Sequence, residues 1–285
     1  MRVSTAVLLI SCPDRPGLVH AVAEFVLTAE GNVVHAEQHI DHEAGIFFQR
    51  VEFELDGARL ARADIAAEFA PIAARFDMDV QVCFSADRPR VAILASKQPH
   101  CLVDLLGRWR AGELPAEIVA VISNHPDHAR LAEFSGLPFH HLPVEPGNRA
   151  AQEAAVLDVL ACYDVELVVL ARYMQVLSPQ ILEAYPVQII NIHHSFLPAF
   201  VGARPYHQAQ QRGVKLIGAT AHYATADLDE GPIIAQDVTA VTHRDSVADL
   251  VQKGRDLETT VLARAVRAHV EHRTLVFGNK TIVFG

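Results

Sequence analysis

Residues 187–198 read VQIINIHHSFLP and indicate the class of fold. The run is almost continuously apolar up to Ile192, which is typical of a strand buried between two layers of helices. Residues 165–171, VELVVLA, have the same character. Both runs lie among segments with helical periodicity, so the sequence predicts a doubly wound, Rossmann-like α/β domain with a mostly parallel sheet.

The remaining elements of this domain follow from the alternation of apolar runs and helical periodicity. Strands are predicted at 90–95, 117–123, 138–142, 165–171 and 188–192, and helices at about 99–111, 126–135, 149–162 and 178–184. The last residues, HRTLVFGNKTIVFG, predict a β-hairpin with Gly278 and Asn279 at its turn.

The first 84 residues follow a different order. Strands are predicted at 3–12, 33–41, 45–55 and 77–84, and helices at about 18–30 and 60–75. This βαββαβ order is that of a ferredoxin-like unit. Residues 85–89, SADRP, form a polar break suited to a linker. We therefore predict a small domain over 1–84, a linker over 85–89 and a larger domain over 90–285.

Polar side chains at the end of the strand in VQIINIHHSFLP point to chemistry. Asn191 and His193 are two apart and share a face if the strand continues, whereas His194 is then turned away. Asp229 follows in the loop ADLDEGP. Amide, imidazole and carboxylate together suit attack on a carbonyl: Asn191 holds the oxyanion, His193 donates or shuttles a proton, and Asp229 orients the histidine and draws the proton of the nucleophile. The alternative is a capping asparagine and a hydrogen-bonded histidine without a catalytic role.

Bulk properties exclude several classes of protein. The net charge is -10 without a basic stripe, which argues against a nucleic-acid partner. No apolar run reaches the ~18 residues of a membrane span. The four cysteines are far apart, as expected for reduced thiols of a cytoplasmic protein. Sixteen histidines are present, but pairs such as His35 and His39 fall in strand-like or loop segments that lack zinc-ligand spacing, so we predict no metal site.

The small domain resembles the ACT family of regulatory modules. The resemblance rests on CPDRPGLVHAVAEFVLTAEGNVVHAEQHID, residues 12–41. It implies an amino acid or other small effector near the first strand–helix turn, with Asp14, Gly17 and Asn32 as matching positions, and assembly into a homo-oligomer (a dimer or tetramer). Gly17 and Asn32 are equally explained as turn and cap residues, and the surface as one for dimerisation.

The large domain resembles the formyltransferases that use 10-formyltetrahydrofolate. NIHHSFLPAFVGARPYHQA, from residue 191, and ADLDEGPII, from residue 226, carry the resemblance. It implies that Asn191, His193 and Asp229 are catalytic. ARYMQVLS, residues 171–178, resembles the segment on the folate side. The resemblance further implies that Met174, Val176 and Leu177 form an apolar wall against the pterin. It also implies that the loop of residues 226–231, with Asp227 and Gly231, binds the polar edge of the pterin.

Two departures separate this chain from the transformylases of that family. The first strand of the domain runs into SKQP, residues 96–99, where glycinamide ribonucleotide transformylase carries the phosphate-binding loop GNGSN. His194 stands where the transformylase has proline. An ACT domain followed by a formyltransferase-like domain resembles the formyltetrahydrofolate deformylases.

That resemblance implies hydrolysis of 10-formyltetrahydrofolate by water to formate and tetrahydrofolate, which supplies formate and balances the one-carbon pool for purine synthesis, without a metal or cofactor. The alternatives are formyl transfer to an amine such as glycinamide ribonucleotide and a non-catalytic folate-binding sensor. A covalent hydrolase is disfavoured, because neither Ser123 nor Ser195 lies in a GxSxG motif.

Overall fold

The computed structural model describes residues 4–55, 57–198 and 205–285. Val3, the first residue of the predicted strand 3–12, and residues 199–204 of the formyltransferase-like motif lie outside this range. Contacts divide the chain into two units. Unit 1 holds the residues up to Arg88 together with Glu271–Leu275 and Ile282–Gly285, and unit 2 holds Pro89–Val270 and Val276–Thr281.

Unit 1 has the predicted βαββαβ order. Its elements are β1 (Thr5–Pro13), α1 (Leu18–Thr28), β2 (Val33–Asp41), β3 (Ile46–Glu54), a 3-10 turn (Arg62–Asp64), α2 (Ile65–Phe76) and β4 (Asp79–Phe84). The strands form an antiparallel sheet in the order β2-β3-β1-β4. Alternate residues of β1, such as Leu8 and Ile10, lie in one core with Val22 and Phe25 of α1 and Phe69 of α2. The ferredoxin-like prediction is confirmed.

Unit 2 is an α/β unit around a seven-stranded sheet. Its elements are β5 (Arg90–Ala95), α3 (His100–Arg110), β6 (Glu117–Ser123), a 3-10 turn (Pro126–His128), α4 (Ala129–Phe134), β7 (Phe139–His141), α5 (Arg149–Cys162), β8 (Leu167–Ala171), α6 (Pro179–Ala184), β9 (Ile189–His193), α7 (Pro205–Arg212), β10 (Leu216–Tyr223), β11 (Ile233–Ala240) and α8 (Val247–Val270). The prediction of a mostly parallel sheet is confirmed, and α7 and α8 are helices that the sequence pattern did not predict.

The strand order explains where a ligand can bind. The sheet runs β11-β10-β9-β8-β5-β6-β7. The strands from β9 to β7 pair in parallel, and β10 is antiparallel to both of its neighbours, β9 and β11. The chain leaves β5 in one direction towards β6 and returns on the other side of β5 as β8. Such a reversal opens a crevice beyond the carboxyl ends of the neighbouring strands. Ser96 follows β5 and Arg172 follows β8 at this end of the sheet.

The C-terminal hairpin is confirmed. It consists of β12 (Thr274–Phe277) and β13 (Lys280–Val283), with Gly278 at φ 57° in the turn. Within the described ranges, every helix falls short of the length and apolar character needed to cross a membrane.

Candidate active site

A cleft of about 500 Å³ opens at the carboxyl ends of β8 and β9. We call it the β8–β9 cleft. It is lined by residues of four segments: Leu170–Leu177 apart from Ala171, Leu182, Asn191–His194, and His222, Ala224–Ala226, Leu228 and Asp229. All three residues predicted to be catalytic, Asn191, His193 and Asp229, therefore meet in one place.

The register of β9 places Asn191 and His193. Leu170 of β8 pairs with Asn191 on one side, and His222 of β10 pairs with it on the other, so the amide is held between two strands. His193 is the last residue of β9, and its side chain is 8 % exposed. Its Nε2 atom is buried and has no hydrogen-bond partner among the described residues. A buried polar atom of this kind costs free energy unless a ligand satisfies it.

Asp229 contacts two histidines at once. Its Oδ2 lies 3.2 Å from Nδ1 of His193, and its Oδ1 lies 3.6 Å from Nε2 of His222. Hydrogen bonds from His193 first and His222 second hold the pKa of Asp229 well below its usual range. The carboxylate is therefore ionised at neutral pH. It fixes the ring of His193 so that Nε2 is the nitrogen left for a ligand.

His222 is a member of the site that the sequence did not reveal. It is 3 % exposed, and its Nδ1 lies 3.0 Å from the carbonyl oxygen of Tyr223, to which it donates. Its Nε2 lies 3.2 Å from Nδ2 of Asn191. The imidazole thus lies between the side chains of Asn191 and Asp229. The sequence contains no signal for this, because the contact depends on β10 running antiparallel to β9 in one particular register.

The prediction that His194 is turned away from the face of Asn191 and His193 is wrong, because His194 lines the same cleft. The prediction extended the alternation of a strand through residue 194, but β9 ends at His193. The rings of His193 and His194 lie 5.1 Å apart between centroids, and both line the β8–β9 cleft. Burial first, then the positive charge of Arg172, lowers the pKa of His194 to about 4. The imidazole is therefore neutral at physiological pH.

A buried ionic cluster around Glu258 includes Arg172 and, through Tyr206, lies next to His194. Glu258 of α8 is 2 % exposed, and its Oε2 lies 2.7 Å from Nε2 of His100 and 3.4 Å from Nε of Arg172. The hydroxyl of Tyr206 donates to its Oε1 at 3.0 Å. Burial alone would raise the pKa of Glu258, but the hydrogen bond from His100 and the charge of Arg172 outweigh burial and lower it. We call these residues the Glu258 cluster.

Arg172 links this cluster to the cleft. It directly follows β8 in a left-handed conformation with φ 62°, which is unusual for a residue other than glycine. Its side chain is 14 % exposed, lines the cleft and pairs with the buried carboxylate of Glu258. The sequence pattern predicted neither Arg172 nor Glu258 as part of the site.

The predicted apolar wall is present. Met174, Val176 and Leu177 all line the β8–β9 cleft, and Met174 and Val176 are 58 % and 54 % exposed. Exposed apolar surface at a concave site favours binding of a flat apolar group. Ser96 fixes this segment, because its Oγ accepts the main-chain N–H of Met174 at 3.0 Å and donates to Oδ1 of Asn124 at 2.7 Å. One residue of SKQP thus supports the wall.

Asp227 and Gly231 lie in the loop but are not among the residues that line the cleft. The carbonyl oxygen of Asp227 accepts from the main chain of Glu230 at 3.3 Å and from Oγ1 of Thr225 at 3.1 Å. A Cβ atom at Gly231 would lie 1.8 Å from the carbonyl oxygen of Tyr223, so only glycine fits there. Both residues shape the loop that carries Asp229.

The three candidate effector residues belong to unit 1 and do not meet within one chain. Asp14 and Gly17 lie in the turn after β1, where Gly17 has φ 96°. Asn32 precedes β2, and its side chain donates to Oε2 of Glu54 at 3.1 Å. Because β1 and β2 run in the same direction on either side of β3, the turn and Asn32 lie at opposite ends of the sheet. The nine residues of β2 span roughly 26 Å.

Comparisons with known proteins agree with this architecture. The model of the Formyl transferase family matches residues 89–266, and the model of the ACT domain matches residues 6–69. A formyltetrahydrofolate deformylase of Synechocystis sp. is 55 % identical to the chain, over 98 % of each sequence.

Solved structures agree as well. The crystal structure of a formyltetrahydrofolate deformylase from Pseudomonas syringae pv. tomato is 48 % identical and superposes with a TM-score of 0.97, over 99 % of this chain and 95 % of that one. Glycinamide ribonucleotide transformylase 1 from Symbiobacterium toebii is 34 % identical and superposes with a TM-score of 0.66. The match to the transformylase covers 70 % of this chain and 95 % of the other.

Proposed function

Because the chain belongs to the formyltetrahydrofolate deformylase family, we propose that Asn191, His193 and Asp229 catalyse its reaction, the hydrolysis of 10-formyltetrahydrofolate to formate and tetrahydrofolate. The observation that carries this assignment is the contact between His193 and Asp229 beside a buried, unpartnered Nε2. A histidine held at one nitrogen by a carboxylate presents the other nitrogen to a substrate in a fixed direction.

The formyl oxygen binds between Asn191 and His193. The amide N–H of Asn191 and the Nε2–H of His193 donate to this oxygen and stabilise the negative charge that develops when water attacks the formyl carbon. Asp229 acts through the histidine: its two oxygens face His193 and His222, so it holds the imidazolium form of His193 rather than the water. The C–N10 bond then breaks, and N10 receives a proton.

The folate lies along the apolar side of the β8–β9 cleft. Met174, Val176 and Leu177 pack against the pterin, and the main chain of residues 226–231 reads its polar edge. Asp227 and Gly231 serve this contact by shaping the loop. The reaction needs neither a metal nor a cofactor in this scheme, because charge is supplied by His193 and Asp229.

Formyl transfer to an amine is the alternative. Gln98 lies in the segment that replaces the transformylase phosphate loop, and its Oε1 accepts from Arg255 at 3.0 Å. Side chains in place of the glycines hinder the close approach of a phosphate to the main chain, which disfavours a phosphate-bearing amine as the acceptor. Formate release from the purified protein, measured with and without glycinamide ribonucleotide, separates the two reactions. Equal rates support hydrolysis, and formate-free formylation of the amine would overturn the assignment.

The domain roles complete the proposal. Residues 1–84 form an ACT regulatory domain, 85–89 a linker and 90–285 the catalytic domain, although Glu271–Leu275 and Ile282–Gly285 at its end belong to unit 1 by their contacts. An amino-acid effector binds at Asp14 and Gly17, and Asn32 reaches the same ligand only from a second copy, which calls for a homo-oligomer. Four free cysteines support a cytoplasmic location, where the product formate and the released folate enter purine synthesis.

A further inference from the structure

We propose that His194 holds the attacking water and accepts its proton, which makes it a further catalytic residue of the β8–β9 cleft. The inference rests on the proposed function, since it assigns the water to a hydrolysis that Asn191, His193 and Asp229 carry out. In that hydrolysis Asn191 and His193 hold the oxyanion, and the water requires a further group that binds it and takes its proton.

Two further polar side chains of the cleft, those of Asp229 and His222, are engaged with neighbouring groups, and the free Nε2 of His193 is assigned to the formyl oxygen. Asp229 faces His193 and His222 with its two oxygens. His222 faces Tyr223 with one nitrogen and Asn191 with the other. The ring of His194, in contrast, makes no hydrogen bond or ion pair within the described ranges 4–55, 57–198 and 205–285. Because Nε2 of His193 is assigned to the formyl oxygen, His194 is the imidazole left to bind the water molecule.

The distance between the rings of His193 and His194 allows one ring to bind the formyl oxygen while the other binds the oxygen of the attacking water. A hydrogen bond of about 2.8 Å places a bound oxygen roughly 4 Å from the centroid of an imidazole. Because the centroids of His193 and His194 are 5.1 Å apart, an oxygen on His194 and a formyl oxygen on His193 can be neighbours. A reacting carbon between them meets the separation of about 3–3.5 Å that attack requires.

The surroundings of His194 favour its neutral form. Arg172 and His193 oppose a positive charge on the ring, and Glu258 and Asp229 favour one. Tyr206 packs beside it with centroids 6.3 Å apart. Burial and Arg172 dominate, so the pKa lies at about 4 and a nitrogen lone pair is free at neutral pH. The Glu258 cluster fixes Arg172 and thereby maintains this state.

The water oxygen forms a bond to the formyl carbon while one water proton passes to the free nitrogen of His194. Asn191 and His193 hold the resulting oxyanion. The C–N10 bond breaks, its electron pair goes to N10, and N10 takes the proton from His194. Tetrahydrofolate and formic acid leave, and formic acid ionises to formate. The negative charge of the intermediate makes His194 a stronger base at the moment when the proton is transferred.

Hydroxylamine distinguishes this role from a structural one. An amine nucleophile becomes cationic on attack, so it does not need a base beforehand, and the proton that it then loses can pass to N10 in place of the proton that His194 carries in hydrolysis. Parent enzyme, His194→Ala and His194→Gln are incubated with 10-formyltetrahydrofolate, with and without hydroxylamine. Formate and formohydroxamate are measured over the enzyme-free rates, and thermal unfolding reports on folding. His243→Ala, an exposed histidine of the same unit, is the matched control.

We expect both His194 variants to lose formate release by about 100-fold or more and to keep formohydroxamate formation within about threefold of the parent. His243→Ala keeps both activities. An equal loss of both products, or no loss of formate, would overturn the proposal for His194. If the Ala variant unfolds, the Gln variant, which keeps a polar side chain of similar length, decides. A parent enzyme that forms formohydroxamate but no formate would instead contradict the proposed hydrolysis.

Discussion

Asp229→Asn isolates the negative charge that holds the site together. Asparagine has the same shape, but it removes the charge that lies 3.2 Å from Nδ1 of His193 and 3.6 Å from Nε2 of His222. The amide can accept from one imidazole only and turns an N–H towards the other. His193 then loses both its orientation and the partner of its imidazolium form.

The expected loss follows from the role of such a pair. Positioned acid–base groups contribute about 100- to 10,000-fold, so kcat should fall by that factor, which corresponds to about 3 to 5 kcal/mol of transition-state stabilisation. Binding of the product tetrahydrofolate should stay within about threefold of the parent, because Met174 and Val176 supply the apolar wall. Formate release measures kcat, and fluorescence titration measures tetrahydrofolate binding.

Stability gives an independent check on the variant. The pKa of Asp229 is depressed in the folded protein, so its carboxylate stabilises the fold above the unfolded pKa of about 3.9 and this contribution disappears as the pH falls further. Asp229→Asn should unfold at a lower temperature than the parent at pH 7, and the difference should shrink below about pH 4. A folded variant with kcat within threefold of the parent would refute the role of Asp229.

Three further predictions concern the surroundings of the site. The pKa of His194 is about 4 in the folded protein and about 6.5 in the unfolded chain, so the free energy of unfolding of the parent should fall by up to about 3 kcal/mol as the pH is lowered from 6.5 to 4. In urea titrations His194→Gln should lose this part of the acid dependence, and an unchanged profile would contradict the lowered pKa of His194. In Gly254→Ala the new Cβ would lie 1.9 Å from the hydroxyl of Tyr206, so we expect a loss of about 1 to 3 kcal/mol in thermal unfolding, whereas Gly107→Ala, which has open space, should gain up to about 1 kcal/mol. Gly231→Ala should displace the loop and lower kcat by about 100-fold with the fold retained, and parental turnover would show that the loop position does not matter.

Much of the fold could be predicted because its signals are local. VELVVLA and VQIINI are apolar runs that predict buried parallel strands wherever they pair, and they became β8 and β9. The βαββαβ order of unit 1 likewise follows from short-range periodicity. Asn191 and His193 could be placed at a ligand-binding edge because parallel strands of this class end there.

Contacts between distant segments could not be predicted in the same way. His222 contacts Asn191 because β10 pairs antiparallel with β9, and a bulge between Ala221 and His222 sets the register towards β11. No short window of sequence contains that pairing. His194 was misplaced for a local reason, since the end of β9 at His193 breaks the alternation on which its orientation was predicted.

The Glu258 cluster of buried charges could not be predicted from the sequence for the same reason. Glu258 lies on the buried side of α8, where a carboxylate is unfavourable by itself. It is accepted there because His100 of α3, Arg172 after β8 and Tyr206 of α7 converge on it. These elements come from four separate parts of the chain, so periodicity within α8 alone gives no indication of the cluster.

Turnover in oxygen-18-labelled water, without any amine, tests most directly whether the β8–β9 cleft passes the formyl group to water. Purified protein and 10-formyltetrahydrofolate should give formate and tetrahydrofolate in equal amounts, each formate carrying one solvent oxygen, and added glycinamide ribonucleotide should not change the rate. Asp229→Asn should lose this labelled product. Turnover that begins only when the amine is added, or formate without the label, would contradict hydrolysis at Asn191, His193 and Asp229.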